Sequence, residues 1–108
     1  MSERSGRVGR YVRMVARPGQ GGALADTLLR VAEGMRDVPG CELYVVNVSA
    51  DEDDTVWVTE VWADERTSDQ ALSSDLGEVG IGEVLDLLAG PPELVDLTPL
   101  GGAGLRTP

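Results

Sequence analysis

Histidine is absent from this chain of 108 residues, and its absence excludes several kinds of site. Histidine is the commonest general base and the commonest metal ligand in proteins. A Ser-His-Asp triad, a Cys-His dyad and an ordinary zinc site are therefore excluded, and we expect no metal centre.

Cysteine and long apolar runs are also scarce. Cys41 is the single cysteine, so no internal disulfide can form, which is typical of a reducing cytoplasm. No run of about 18 apolar residues is present, so we expect no transmembrane helix. The opening MSERSGRVGR lacks the apolar region of a signal peptide. We therefore expect a cytoplasmic protein, and the lysine-free, arginine- and glycine-bearing composition is typical of a high-GC bacterium.

The charge is strongly one-sided. Nine basic residues, all arginines, face 19 acidic ones, which gives a net charge of −10. Such a surface repels phosphate backbones and anionic lipids, so we expect no nucleic-acid or membrane partner. The length predicts one domain, and the 42% hydrophobic content is typical of a globular one.

Apolar periodicity predicts the order of the elements. Two-residue alternation predicts strands in RYVRMVAR, CELYVVNVS, TVWVTEVW and ELVDLTPL. Three- to four-residue spacing predicts a helix in ALADTLLRVAEGMRDV, a short helix that Asp64 begins, and a further helical stretch in GEVLDLLAG with Gly90 as its C-terminal cap.

The resulting order, β-α-β-β-α-β, is the ferredoxin-like motif: an α+β fold with a four-stranded antiparallel sheet and both helices on one face. We assign residues 10–100 to this domain, residues 1–9 to a flexible N-terminal arm and residues 101–108 to a flexible C-terminal tail.

The two tryptophans lie five residues apart in TVWVTEVWADE. Strand alternation places Val58, Glu60 and Trp62 on one face and Trp57 on the other. No predicted element remains to cover the second sheet face, so we expect a second copy of the chain to cover it. The sequence therefore predicts a homodimer through the sheet face, with Trp57 at the contact.

Two conspicuous features carry no predicted chemistry. The acidic run DEDD at residues 51–54 lacks the glycine and the distal glutamate of an EF-hand loop, so we interpret it as a solvated hairpin tip. Cys41 has no histidine to activate its thiol, so we expect no nucleophilic role for it.

Three segments carry a family resemblance: VRMVARPGQGGALADTLLRVAEGMRDVPGCELYVV, VWVTEVWADE and LLAGPPELVDLTPL, spanning roughly residues 10–100. Their specific parts are PG at 18–19, PGC at 39–41 and EVWAD at 60–64. On these segments the chain resembles the antibiotic biosynthesis monooxygenase family.

The resemblance implies a dimeric α+β barrel and an activity like that of the family's cofactor-free, quinone-forming oxygenases, and so no cofactor. It also implies that Trp62 lines a cavity between sheet and helices. Relatives that degrade haem carry a histidine about nine or ten residues after the tryptophan, where this chain has QALS at 70–73. Haem degradation is therefore not expected.

Three residues are candidate catalytic groups. The indole of Trp62 would offer a flat wall and one N–H donor to an aromatic substrate, or would simply fill the core. Glu60, on the same strand face, would act as a base or form a structural ion pair with Arg13. Arg13 would otherwise stabilise an enolate or phenolate oxyanion.

Four residues are candidate substrate contacts. Tyr44 could donate a hydrogen bond to a carbonyl, and Asn47 could orient one, although a position near a strand end also fits a turn. Tyr11 shares a strand face with Arg13, and Val58 shares one with Trp62.

Three functions fit these residues. The first is a cofactor-independent monooxygenase of secondary metabolism, which holds an aromatic or polyketide-derived anion flat and away from water. The second is a non-oxidative cyclase, isomerase or decarboxylase on a similar substrate. The third is a non-catalytic accessory protein that binds a small molecule. Oxygen uptake during turnover separates the first from the second.

Overall fold

The computed structural model describes residues 6–73 and 81–105, which form one antiparallel sheet with helices on one face. The strands are β1 (Val8–Val15), β2 (Cys41–Val48), β3 (Thr55–Trp62) and β4 (Glu93–Leu97), and the helices are α1 (Gly21–Met35), α2 (Glu65–Ser73) and α3 (Ile81–Asp86). The sheet order β2-β3-β1-β4, with every neighbouring pair antiparallel, confirms the predicted ferredoxin-like fold.

The core lies between the sheet and α1. Leu24 and Leu28 of α1 pack against Val12 and Val58, and Val84 of α3 completes this cluster. The helix presents these leucines because its apolar residues recur every three to four positions on one stripe. The predicted stripe is confirmed, and it determines which face of the sheet is covered.

Strand position explains the burial of each strand. β3 has a partner on both sides, and its residues are buried or half-buried throughout. β4 is an edge strand, and all five of its residues are exposed. The interior of the molecule is therefore organised around β3.

The chain after α3 is bound to the end of β1. Ala16 and Leu88 form an isolated antiparallel bridge, and the Ala89 N–H donates to the last carbonyl of β1 at 2.8 Å. Helix α3 ends at Asp86 and does not continue to a cap at Gly90 as the apolar pattern predicted, because the Leu87 and Leu88 N–H groups donate to carbonyls only three residues back, at 3.1 and 3.2 Å. A tight turn at Leu87 and Leu88 then leads the chain into its pairing with the end of β1.

The helices in the described ranges are too short or too polar to cross a bilayer. The longest of them, α1, has 15 residues.

The hairpin between β2 and β3 caps α1. The Asp54 carboxylate accepts hydrogen bonds from the backbone N–H of Gly21 at 2.8 Å and of Gly19 at 3.0 Å. Gln20, at the N-cap position, makes no side-chain cap of its own. The interpretation of DEDD as a solvated tip is therefore wrong for Asp54, because its carboxylate satisfies N–H groups that the start of a helix leaves without partners.

Space at this contact is limited. A Cβ on Gly21 would lie 2.6 Å from the Asp54 Cα. Asp54 itself has φ 63°, a left-handed conformation that aspartate and asparagine adopt more readily than most residues. The approach of the hairpin to the helix therefore leaves no room for a side chain at position 21 and favours aspartate or asparagine at position 54.

We expect Asp54→Ala to lower the free energy of unfolding by about 1–2 kcal/mol, the usual loss when a helix cap is removed. Asp54→Asn should lose less, since asparagine keeps an acceptor and tolerates the left-handed conformation. Urea unfolding followed by circular dichroism measures both. Asp53→Ala is the control, because Asp53 is an exposed neighbour in the same acidic run. Equal losses for Asp53→Ala and Asp54→Ala would show that the cap does not stabilise the fold.

Candidate active site

Trp62 ends β3 on the helix side of the sheet. It is 1% exposed and packs with Val31 and Met35 of α1. Cys41 and Tyr44 of β2 border this cluster. The indole therefore fills the core at the C-terminal end of α1.

Glu60 is buried on the same face and holds the Trp62 ring by its edge. Its carboxylate oxygen Oε1 accepts a hydrogen bond from the Trp62 Nε1 at 3.0 Å and lies 3.4 Å from Arg10 Nη1. Arg10 Nε in turn lies 3.5 Å from Asp96 on β4. These contacts link three strands across the sheet. They also engage the indole N–H, so Trp62 can offer a ligand only its ring.

The predicted ion pair between Glu60 and Arg13 is wrong. Arg13 lies opposite Trp57 in the register, on the other face of the sheet, with its guanidinium 5.8 Å from the indole centroid. Arg10 is the partner of Glu60. The signal for it was present in the sequence, since alternation puts Arg10 on the apolar face with Val12, where a charge requires a partner.

Tyr11 and Asn47 also lie on the face opposite the helices. The Tyr11 ring stacks on Trp57 with centroids 4.9 Å apart, and Asn47 Nδ2 donates to the Trp57 carbonyl at 3.3 Å. With Arg13, they surround Trp57 and lie across the sheet from Trp62. A site on the helix side therefore cannot use these three residues from the same chain.

The remaining candidates lie on the helix side. Val58 is fully buried in the core, and Tyr44 lies directly across from Glu60 in the β2–β3 pairing. Burial, and then the negative charge of Glu60, raise the pKa of the Tyr44 phenol well above its ordinary value. A tyrosine hydroxyl is protonated at neutral pH in any case, and the raised pKa extends this state to more alkaline pH, so Tyr44 can donate a hydrogen bond.

Cys41 is similarly kept neutral. Burial is the main cause, followed by Glu60, and together they raise the pKa of its thiol. A thiol in this state is a poor nucleophile, which agrees with the expectation that Cys41 does not attack a substrate.

A cleft of about 480 Å³ lies between the C-terminal half of α1 and β2; we call it the α1–β2 cleft. Its walls are mixed: apolar side chains such as Leu29 and Met35 from the helix and Leu43 from the strand lie beside the charged Glu33, Arg36 and Glu42, and Tyr44 adds a phenol. Trp62 packs directly behind Met35 and is not one of the lining residues. Tyr44 belongs to both the cleft wall and the Trp62 cluster, and so connects the cleft to Glu60.

Residues 7–76 match the family model of the antibiotic biosynthesis monooxygenases. The chain belongs to this family. The match includes β1, α1, β2, β3 and α2, and therefore every residue of the Trp62 cluster.

Solved structures agree with the family assignment. A candidate antibiotic biosynthesis monooxygenase from Chloroflexus aurantiacus is 32% identical, with a TM-score of 0.81 over 93% of this chain and 99% of that one. A Mycobacterium tuberculosis protein is 26% identical, with a TM-score of 0.78 over 90% and 98%. A candidate monooxygenase of the family from Caulobacter crescentus, at 19% identity and a TM-score of 0.81 over 91% and 93%, shares the fold. No protein of curated function matches the chain.

We expect Glu60→Ala to lower the free energy of unfolding by about 3 kcal/mol, because it leaves a buried guanidinium and an indole N–H without their shared acceptor. Asp96→Ala is the matched control. Asp96 contacts the same Arg10, but its side chain is 85% exposed, so its loss should be about 1 kcal/mol or less.

Urea unfolding followed by tryptophan fluorescence compares the two variants. Similar losses would mean that Glu60 does not anchor this end of the core.

Proposed function

We propose that the protein is a cofactor-independent monooxygenase that oxidises an aromatic or polyketide-derived substrate in the α1–β2 cleft. Membership of the antibiotic biosynthesis monooxygenase family supports the reaction class. The observation that carries the choice of site is Tyr44, a half-buried phenol at the wall of the α1–β2 cleft, directly across from Glu60.

In this reaction the substrate supplies the electrons. In an anthrone, the CH2 group across the central ring from the ketone loses a proton to give the aromatic enolate, which reduces O2. One oxygen atom becomes a new carbonyl on that carbon, and the other leaves as water with the two hydrogens. The protein must hold the substrate, favour its anion and exclude bulk water.

Tyr44 would donate its hydrogen bond to the developing enolate oxygen. A donor aimed at the position of developing charge stabilises the transition state more than the neutral ground state. Leu29 and Met35 would contact the flat faces of the substrate from the helix side.

The Glu60 carboxylate is already engaged by Trp62 and Arg10, which favours a positioning role over proton abstraction. It would hold the Trp62 ring behind the cleft. Trp62 in this arrangement supports the wall formed by Met35 and Tyr44.

We expect Tyr44→Phe to lower kcat for oxidation of a dihydroxyanthrone by about 100-fold or more, the usual effect of removing one oxyanion donor. Tyr11→Phe is the matched control, since Tyr11 is the other tyrosine of the chain and lies on the opposite sheet face. An oxygen electrode measures uptake, and chromatography measures the quinone.

Product formed without oxygen uptake would identify a non-oxidative enzyme instead. Tight binding of the anthrone without turnover would identify a binding protein. Equal rates for the two tyrosine variants would show that Tyr44 is not the donor.

We further propose that the protein is a homodimer through the sheet face that carries Trp57. Three apolar side chains on this face are exposed: Val95 by 52%, Leu97 by 48% and Val45 by 41%. They surround the Tyr11–Trp57 stack and form an apolar surface that no described helix covers. Two copies related by a two-fold axis would bury the same patch on each.

We expect Val95→Glu to weaken the dimer at least tenfold, because a charge would be buried at the centre of the contact. Leu85→Glu is the control: Leu85 is 48% exposed on α3, on the helix side. Light scattering across a dilution series measures the mass. A dimer that tolerates Val95→Glu but is lost in Leu85→Glu would place the contact on the helices.

A further inference from the structure

A second, smaller cleft of about 290 Å³ lies where the C-terminal segment meets the start of β2; we call it the tail pocket. Cys41 and Glu42 line one side, and Gly104 and Leu105 line the other. Cys41 and Glu42 also line the α1–β2 cleft, so the two spaces share a wall. The two spaces are therefore neighbours at the start of β2.

Backbone contacts carry the C-terminal segment to this position. Beyond β4 the chain passes the start of β1, where a Cβ on Gly9 would lie only 3.0 Å from the Pro99 ring. The Leu105 N–H then donates to the Gly102 carbonyl at 3.2 Å, and Gly104 adopts φ 97°, which favours glycine. The turn directs Leu105 against β2, where it is half-buried.

Among the described residues, the lining of the tail pocket carries no unpaired charge. The Leu105 side chain is apolar, and Gly104 adds no side chain. The Cys41 thiol is held in its uncharged form by burial. The Glu42 carboxylate is neutralised by Arg7, whose Nε lies 2.6 Å away and whose side chain is 8% exposed. An uncharged alkyl or small-ring group suits this lining, whereas a charged group would lose hydration without gaining a partner.

We propose that the tail pocket is a second compartment of the substrate site and takes an uncharged substituent of the substrate. Leu105 is then a specificity-determining residue, because its side chain forms the wall that a longer substituent contacts. The inference rests on the proposed function, since it extends the cleft assigned there to the reacting ring.

The test is calorimetric binding of phenol, 4-propylphenol and 4-hexylphenol to the full chain. Affinity should rise by up to about fourfold for each methylene buried. Ending the chain after Gly102, or filling the pocket with Leu105→Trp, should leave the affinity for phenol unchanged and reduce that for 4-hexylphenol by about tenfold or more. Leu100→Ala is the matched control, because Leu100 is a leucine of the same segment that is 76% exposed.

Unchanged binding of 4-hexylphenol in both tail variants would overturn the inference. Tyr44→Phe separates this failure from that of the proposed function. Suppose that Tyr44→Phe weakens phenol binding, but the affinity gained by adding the hexyl chain is the same in wild type and in Leu105→Trp. The assignment of the α1–β2 cleft is then supported and the tail pocket is wrong. If the gain depends on Leu105 while Tyr44→Phe has no effect, the tail pocket stands and the role of Tyr44 is wrong. Failure of wild type to bind any of the phenols would overturn both.

Discussion

The register of β3 between β1 and β2 is the constraint on which the candidate site depends. Val58 lies opposite Val12 on one side and Val46 on the other, and all three contribute to the core beneath α1. A slip of one residue would turn Trp62 and Glu60 to the open face, because side chains alternate along a strand. The apolar stripe of α1 packs against the sheet face that carries these three valines. Burial of the stripe therefore stabilises the observed register over one shifted by a single residue.

Electrostatics at the Trp62 end of the core follow from that register. It brings Arg10 beside Glu60 and places Tyr44 across from the same carboxylate. A buried carboxylate is costly unless its oxygens are hydrogen-bonded, and here one oxygen contacts both the indole and the guanidinium. Burial, and then the negative charge of Glu60, raise the pKa values of the neighbouring Tyr44 and Cys41. Neutral donors, not anionic nucleophiles, are therefore what this end of the sheet presents to the α1–β2 cleft.

Much of the fold could be predicted from local pattern. Alternation in TVWVTEVW separated Trp57 from Trp62 correctly, and spacing in α1 identified the stripe that is buried. The partner of Glu60 was harder to predict. Alternation sorts the side chains of one strand into two faces, but it does not show which face of β1 lies on the same side of the sheet as the Glu60 face of β3. The apolar face of β1 favoured Arg10 over Arg13, and the β1–β3 register, which places Arg10 opposite Glu60 and Arg13 opposite Trp57, decides between them. Asp54 was missed for a related reason: its helix lies 33 residues earlier in the chain.

By itself, the sequence determined the element order, the two faces of each strand and the exclusion of histidine chemistry, since these depend on residue identity and short-range period. Only the tertiary structure decided which faces meet. Pairing across the sheet divided the predicted site residues, with Trp62, Glu60, Tyr44 and Val58 on the helix side and Tyr11, Arg13 and Asn47 on the other. The physical reason is that contacts between distant segments are selected by how the whole apolar surface is buried, a condition that no single segment of the chain contains.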